Sequence, residues 1–445
     1  ADLSYLRGQD ELSTNLGRIM LRPVHIVRSM VQYSDEMIRA HLWYQMFYSS
    51  QSMDMPLVYN GIRMGSLPEI MNLANHSTDV ELQFTHSFFE GNTLVAGANY
   101  RWLGMFWPDN DPPSVYQHRA GLFVQDEQRF WDQLLLLGAV RLDYNSITPF
   151  TVSPRAGLVW KPAKNHALRF HFGRAFRKPS FVNTSIHIKT TIPSPGFEGV
   201  VDFVHNSIGN ENLDNERVTS FEIGYRGAVL DGRLELDADA FFNMYRNAIS
   251  FQSRIVEDSL GLPDFEKSWL RFENEGIDVD TIGGSVDLEW KPAKWLSARA
   301  NYTFRHSRYV NVVYIPTKKK GDRVPWEPAH LFNFVVDLKF DNGLRAGAAL
   351  FARSGIEDFW PEDGGFFADK VRVVDPARVL ASGYLSWRIS AGDWWVEPGV
   401  RVVNAAGGRW RDGTNIRRFD GKIIGDQWMG RLLLLFVRVG WEPEE

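Results

Sequence analysis

Apolar and polar residues alternate one by one along most of this 445-residue chain. From Trp295 to His306, Leu296, Ala298, Ala300, Tyr302 and Phe304 alternate with Ser297, Arg299, Asn301, Thr303 and Arg305. The same rhythm sets Leu234, Leu236, Ala238, Ala240, Phe242 and Met244 against Glu235, Asp237, Asp239 and Asn243, and Leu168, Phe170 and Phe172 against Arg169 and His171. Successive side chains of a strand point to opposite faces, so each stretch is a strand with one apolar and one charged face. The pattern predicts strands near 24–33, 37–48, 78–88, 92–104, 115–127, 132–145, 151–161, 165–176, 217–228, 233–248, 280–291, 295–309, 327–340, 343–357, 376–390, 393–405 and 428–441. Most reach about ten residues or more, roughly twice the usual soluble strand and the length that crosses a bilayer at a tilt.

The connections alternate too. Tight ones fall at Ser34-Asp35-Glu36, Phe89-Glu90-Gly91, Pro162-Ala163-Lys164, Asp231-Gly232, Pro292-Ala293-Lys294, Asp341-Asn342 and Ala391-Gly392. Long ones lie between them, at 49–77, 177–216, 249–279, 310–326, 358–375 and 406–427, with 146–150 short for its place and 128–131 slightly long. A membrane barrel is built this way, with short turns at one end and long loops at the other, whereas a soluble sandwich has no reason to lengthen every second loop. Trp131, Trp160, Trp290, Trp295, Trp394 and Trp441 all stand beside the tight turns, as indoles do at a headgroup boundary. Trp160-Lys161-Pro162-Ala163-Lys164 recurs as Trp290-Lys291-Pro292-Ala293-Lys294, which gives both turns equivalent positions.

Composition narrows the function. There is no Cys, which removes disulfide frameworks, thiolate metal sites and cysteine nucleophiles. A net charge of -5 argues against a broadly basic nucleic-acid-binding surface. Aromatic residues make up 13%, and no apolar run approaches the ~18 residues of a spanning helix. Ala1-Asp2-Leu3-Ser4 carries no signal segment, and no Gly-x-Ser-x-Gly elbow, phosphate-binding loop or His-Glu-x-x-His pattern is present.

Gly209-Asn210-Glu211-Asn212-Leu213-Asp214-Asn215-Glu216, followed by Ser220-Phe221-Glu222-Ile223-Gly224-Tyr225-Arg226-Gly227, resembles the "GNxxLxxE…xELGY" entry into a mid-barrel strand of the TonB-dependent outer-membrane receptors. Ser153-Pro154-Arg155-Ala156-Gly157-Leu158-Val159-Trp160 and Arg174-Ala175-Phe176-Arg177-Lys178-Pro179-Ser180 resemble two further segments of that family in the same order, and Asn404 is similar to the asparagine closing its penultimate strand. The resemblance implies an all-β fold: a transmembrane antiparallel up-and-down β-barrel of about 22 strands in a Gram-negative outer membrane, with a globular plug. It implies uptake of a scarce bulky ligand, such as an iron-siderophore, cobalamin or oligosaccharide. TonB–ExbB–ExbD would energise that uptake through the plug, with no enzymatic step and no cofactor.

Nothing in 1–80 resembles a plug, and the strands number 17, or 18 with a stub at Leu3–Leu6. Residues 1–445 are therefore expected to form a receptor-like barrel, incomplete on its N-terminal side and without the plug. The ending Glu442-Pro443-Glu444-Glu445 also departs from the family's aromatic terminus. An open sheet edge in lipid leaves unpaired N–H and C=O groups, each costing several kcal/mol. Either another segment supplies the missing strands and plug, from a longer protein or a split receptor, or the strands close a smaller barrel. The alternative function is a plugless passive pore or structural barrel within a larger assembly.

Strand parity sends the long segments outward from the cell. Segment 177–216 carries Arg177, Lys178, His187, Lys189 and His205, and 249–279 adds Arg254, Trp269 and Arg271, together the largest loop surface. Cations there suit an anionic siderophore or sugar phosphate, the plain alternative being a solvated loop. His187 and His205 lack the paired spacing of metal ligands, so no metal site is expected. Lys318-Lys319-Lys320 is a contact for anionic lipopolysaccharide or simply a solvated loop tip. Arg169, His171, Glu235, Asp237, Asp239, Arg299, Asn301 and Arg305 face the lumen, where a plug presses or water fills a pore. With Glu235 beside them, Asp237 and Asp239 make an acidic stripe rather than a catalytic pair.

Overall fold

The computed structural model describes residues 2–14, 17–49, 56–59, 62–66, 73–108, 110–193, 202–257, 259, 263–274, 276–312, 319–325, 327–361, 370–405, 410–411, 416–417, 423–424 and 428–441. Among them the wall strands are β1 (Asp2–Thr14), β2 (Gly17–Ser34), β3 (Ile38–Ser49), β4 (Leu73–His86), β5 (Asn92–Phe106), β6 (Ser114–Phe130), β7 (Leu134–Asn145), β8 (Thr151–Ala163) and β9 (His166–Arg177). They continue as β10 (Glu216–Val229), β11 (Leu234–Arg246), β12 (Ile277–Ala293), β13 (Leu296–Val312), β14 (His330–Lys339), β15 (Leu344–Arg353), β16 (Arg378–Trp387), β17 (Trp394–Val403) and β18 (Leu432–Trp441). Each pairs antiparallel with the next in one sheet. Ile389–Ala391, the nineteenth strand of that sheet, continues β16 beyond Arg388 along the same neighbour. Among the described residues β1 and β18 do not pair with each other.

The registers carry the two-faced pattern around the wall. Leu82, Ala98, Leu122, Leu142 and Val152 form one apolar row across β4 to β8. Leu236, Leu288, Ala300, Phe334 and Leu350 form another across β11 to β15. One residue along, Asp237, Asp287, Asn301 and Asn333 make a polar row on the opposite face. The apolar face is bare: Leu122 and Ile223 are each 59% exposed. So large a greasy surface on a folded wall belongs against acyl chains rather than water.

Both ends of the apolar band are marked. At the tight turns Trp131, Trp160, Trp290, Trp295, Trp394 and Trp441 are all exposed, the girdle the sequence predicts. At the other end the outward face carries hydrogen-bonded Tyr–His pairs on neighbouring strands. Tyr44 Oη lies 2.9 Å from His76 Nδ1, Tyr100 2.7 Å from His118 and Tyr302 2.8 Å from His330. Pairing keeps each ring at the boundary while its polar tip is satisfied. The turns are closed locally: Asp35 Oδ1 accepts from Met37 N (2.8 Å) and Ile38 N (2.7 Å), and Gly91 takes φ 83° where a side chain would be strained.

Several elements differ from expectation. The stub at Leu3–Leu6 is the full strand β1, paired with β2 from Asp2↔Met30 to Thr14↔Gly17. The strand expected at 24–33 starts at Gly17, and that expected at 78–88 starts at Leu73. In the sequence of the second extension polar residues fall on both parities, Asn75 and Ser77 on one and His76 on the other, so alternation fades there. The strand expected at 376–390 is interrupted at Arg388. Segments 177–216 and 249–279 contain strands of their own: His187–Pro193 pairs with Asp202–Ile208, and Ser250–Glu257 with Pro263–Glu273. The two hairpins join in parallel at Ser207↔Leu270 and Ile208↔Arg271. One loop surface thus becomes a single four-stranded sheet.

Candidate functional site

Register alone assembles the most concentrated group of charges. Asp79 on β4 stands opposite Arg101 on β5, Arg101 opposite Arg119 on β6, and Arg119 opposite Asn145 on β7. Beside that row Arg141 stands opposite Ser153 on β8. All are on the lumen face, near its loop end. Arg101, Arg119, Arg141 and Ser153, with Arg177 and Lys178 where β9 ends, line a recess of about 560 Å³.

The balance within it is positive. Arg101 Nε meets Asp79 Oδ2 at 2.7 Å, and His41 Nε2 lies 3.1 Å from Asp79 Oδ1. Arg141 grips Asp143 through Nε (2.9 Å) and Nη2 (3.1 Å), and its Nη2 also reaches Asn99 Oδ1 at 2.6 Å. Lys178 Nζ is 3.6 Å from Asp143 Oδ1. Among the described residues Arg119 has only an amide for company: its Nε and Nη2 donate to Gln117 Oε1 at 2.9 and 2.6 Å. Arg177 is neutralised separately by Glu216, which also accepts from Ile249 N at 2.8 Å. Four cations, Arg101, Arg119, Arg141 and Lys178, therefore share two buried carboxylates. Ser153 Oγ is buried there without a hydrogen-bond partner. Like charges opposite each other on a sheet are destabilising, so the arrangement suits an added anion. Burial pushes the Lys178 ammonium below its ordinary value, and Arg119 and Arg141 oppose the pull of Asp143.

The loop residues divide. Arg177 and Lys178 reach the recess. Arg271 is committed elsewhere: its Nη2 donates to Asn210 Oδ1 at 2.9 Å, its Nε is 3.2 Å from Glu273, and its guanidinium lies 6.0 Å from the Trp269 ring centre. His187 is exposed and donates its backbone N–H to Asn110 Oδ1 at 2.6 Å. The side chains of Lys189, His205 and Arg254 lie outside those described, as does Lys318; Lys319 and Lys320 are exposed. On the lumen wall Arg169 pairs with Asp237 at 2.7 Å, Arg155 donates to His171 at 2.9 Å, and Arg299 pairs with Asp287 at 2.9 Å. Arg305 Nε donates to Pro328 O at 3.2 Å. Ser285 donates to Asp239, so Asp237 and Asp239 have separate partners. Sequence reasoning missed Arg101, Arg119 and Arg141. The available signal was an arginine of one parity near the loop end of three successive strands.

The motif behind the resemblance is a structural hub. A Cβ on Gly209 would collide with the Thr184 and Ser185 backbone, so the close approach requires glycine. Asn210, 4% exposed, donates to Phe272 O at 3.0 Å and Glu273 Oε2 at 2.9 Å, tying the two loop segments together. Leu213 is fully buried, and Glu216 closes the motif on Arg177. Helix α1 (Phe181–Ser185), capped by Ser180, sends Phe181 and nearby Ile186 against Val24, Leu73, Met105 and Trp107. The segment after β9 thus packs against the loop ends of β2, β4 and β5.

A wall greasy outside, charged inside, with tight turns at one end and long loops at the other, defines a transmembrane β-barrel of the receptor type. The chain belongs to the TonB-dependent receptor family: the model of the TonB-dependent receptor-like β-barrel matches residues 31–394. Among solved structures it is similar to the ferric enterobactin receptor of Pseudomonas aeruginosa (TM-score 0.70, 15% identity, 95% of this chain and 61% of that one). It is also similar to the siderophore receptor PirA of Acinetobacter baumannii (0.66, 13%, 95% and 62%) and the FrpB iron transporter of Neisseria meningitidis (0.63, 12%, 98% and 68%). The chain thus spans about three fifths of the first two. No curated protein matches it by sequence.

Proposed function

We propose that this chain forms the wall of a Gram-negative outer-membrane receptor for TonB-energised uptake of an anionic iron-siderophore. The observation that carries the reading is the lumen recess, where four cations surround two buried carboxylates at the mouth of the wall. Planar guanidinia grip carboxylate and catecholate oxygens in pairs, and Arg119 has no carboxylate of its own. Several structural neighbours are siderophore receptors, which supports the ligand class. Among the described residues β1 and β18 do not pair, and such edges in lipid call for further strands from another segment, as the charged lumen does for a plug on which TonB acts.

Ferric enterobactin serves as an anionic probe against a neutral ferric hydroxamate, with the full-length protein refolded in detergent and binding read by tryptophan quenching. The chain is expected to prefer the anionic probe, and Arg119→Gln with Arg141→Gln to weaken it about tenfold or more. Equal binding of both probes, or binding indifferent to the two arginines, refutes the anionic site. Large steady planar-bilayer currents from the full-length protein favour the passive pore instead.

A further inference from the structure

A second pair of arginines faces the other way. Arg174 on β9 and Arg217 on β10 occupy the outward parity: Arg174 stands opposite Thr219, and Arg217 opposite Phe176. Below them the same face is apolar, through Phe172, Phe170 and Leu168 on β9 and Phe221, Ile223 and Tyr225 on β10. The change from phenylalanine to arginine marks where acyl chains give way to headgroups.

The two arginines line a recess of about 250 Å³ with Phe150, Val152, Asp214 and Asn215. Arg174 Nε donates to Thr219 Oγ1 at a long 3.4 Å, and among the described residues the Arg217 guanidinium makes no hydrogen bond or ion pair, though Arg217 stands opposite Arg246 on β11. The next outward arginine, Arg246, is by contrast held by Asp280 at 2.6 Å. Asn215 donates to Thr151 Oγ1 at 2.8 Å, while its Oδ1 is buried with no donor. Phe150 and Val152 are exposed toward the lipid side.

We infer that this recess holds the headgroup of a phosphorylated glycolipid of the outer leaflet. Arg174 and Arg217 take the phosphate, a sugar hydroxyl donates to Asn215 Oδ1, and acyl chains lie along Phe150, Val152 and the apolar row beneath. Each element is matched separately. Guanidinia bind phosphate in paired hydrogen bonds, an unpartnered carbonyl oxygen needs a donor that phosphate lacks, and exposed aromatics need hydrocarbon. The Asp214 carboxylate in the same recess accepts a further hydroxyl and disfavours a bare anion.

The inference rests on the membrane orientation proposed above, and the test separates the two. The full-length protein, refolded in detergent, is titrated with bis-phosphorylated lipid A, dephosphorylated lipid A, phosphatidylglycerol and inorganic phosphate, with binding read by native mass spectrometry and thermal shift. Lipid A is expected to bind best, and R174Q with R217Q to weaken it about tenfold or more, while Arg299→Gln on the lumen face leaves it unchanged. Arg217→Lys, keeping charge without the fork, falls between. Lipid A binding that ignores both arginines, or an equal response to dephosphorylated lipid A, phosphatidylglycerol or inorganic phosphate, overturns the site while the membrane orientation stands. Failure to bind any lipid or enter vesicles overturns the orientation as well.

Discussion

Two groups of arginines lie near the loop end of the same wall and face opposite ways. Arg101, Arg119 and Arg141 look into the lumen; Arg174 and Arg217, on strands just beyond, look outward. The lumen group brings its own counter-charges, Asp79 and Asp143, both buried beneath it. The outward pair has few protein partners and exposed apolar side chains below it. The arginines that face the lumen are only partly neutralised by the wall itself, four cations sharing two carboxylates. Of the outward arginines, Arg246 is paired within the wall by Asp280, whereas Arg174 and Arg217 have no carboxylate partner among the described residues. Strand parity and the apolar rows tell which side of the wall is which, and the buried carboxylates mark the lumen group.

The strongest way to break this distinction is to exchange the faces at mid-height. Ala300 lies in the apolar row between Leu288 and Phe334, and Asn301 in the polar row between Asp287 and Asn333. Ala300→Arg is expected to cost about 2–4 kcal/mol of stability in lipid, and Asn301→Arg about 0–0.5 kcal/mol. Refolding titrations in phosphatidylcholine vesicles measure both. Equal costs would mean that the two faces are not the lipid and lumen faces.

A smaller effect sharpens the comparison at the arginines. Asp143→Asn leaves Arg141 without its two charged bonds and Lys178 without its nearest carboxylate, at an expected cost of about 1–3 kcal/mol. It also makes the recess more positive, so affinity for an anionic probe should rise. Arg174→Gln breaks one long hydrogen bond and is expected to stay within about 0.5 kcal/mol in detergent. Denaturation midpoints of the two variants, set beside the parent, decide it. An Asp143→Asn variant as stable as the parent and no tighter for the probe would show that the carboxylate does not govern the recess.

The unequal visibility of these regions in the sequence has a physical origin. Lipid makes one demand on every second residue, and Leu296 to Phe304 or Leu234 to Met244 answer it within a few positions of one another. Faces, turns and the tryptophan girdle were legible for that reason. The recess depends on residues from Asp79 to Lys178, brought together by ladder register, which the spacing within any one strand does not state. Arg177 and Lys178 were found only because they fell in a conspicuous loop. Strand β1 was reduced to a stub because Arg7, Gln9, Asp10 and Glu11 interrupt its alternation, although its pairing continues to Thr14. The loop sheet was hidden likewise: its fixed points are Gly209, which fits by having no side chain, and Asn210, whose bonds span about 60 residues.

The smallest expected effect lies at the opposite end of the wall, in the turn after β2. Tyr33 donates to Asp35 Oδ2 at 2.6 Å, and the Met37 and Ile38 amides donate to its Oδ1. The Tyr33 hydroxyl, followed by these backbone bonds, holds the Asp35 carboxyl below its ordinary value. A carboxyl lowered by folding stabilises the folded state above its unfolded-state value, about 3.9, and that contribution is lost as pH falls through the lower folded value. Between about pH 4 and pH 2 the parent should therefore lose slightly more stability than Asp35→Asn, with the two curves offset but parallel at neutral pH. The difference should be small, because the group is fully exposed and water screens it. Parallel curves across the acid range would mean that the turn is held by its backbone geometry alone, leaving the charged lumen as the acid-sensitive region of the wall.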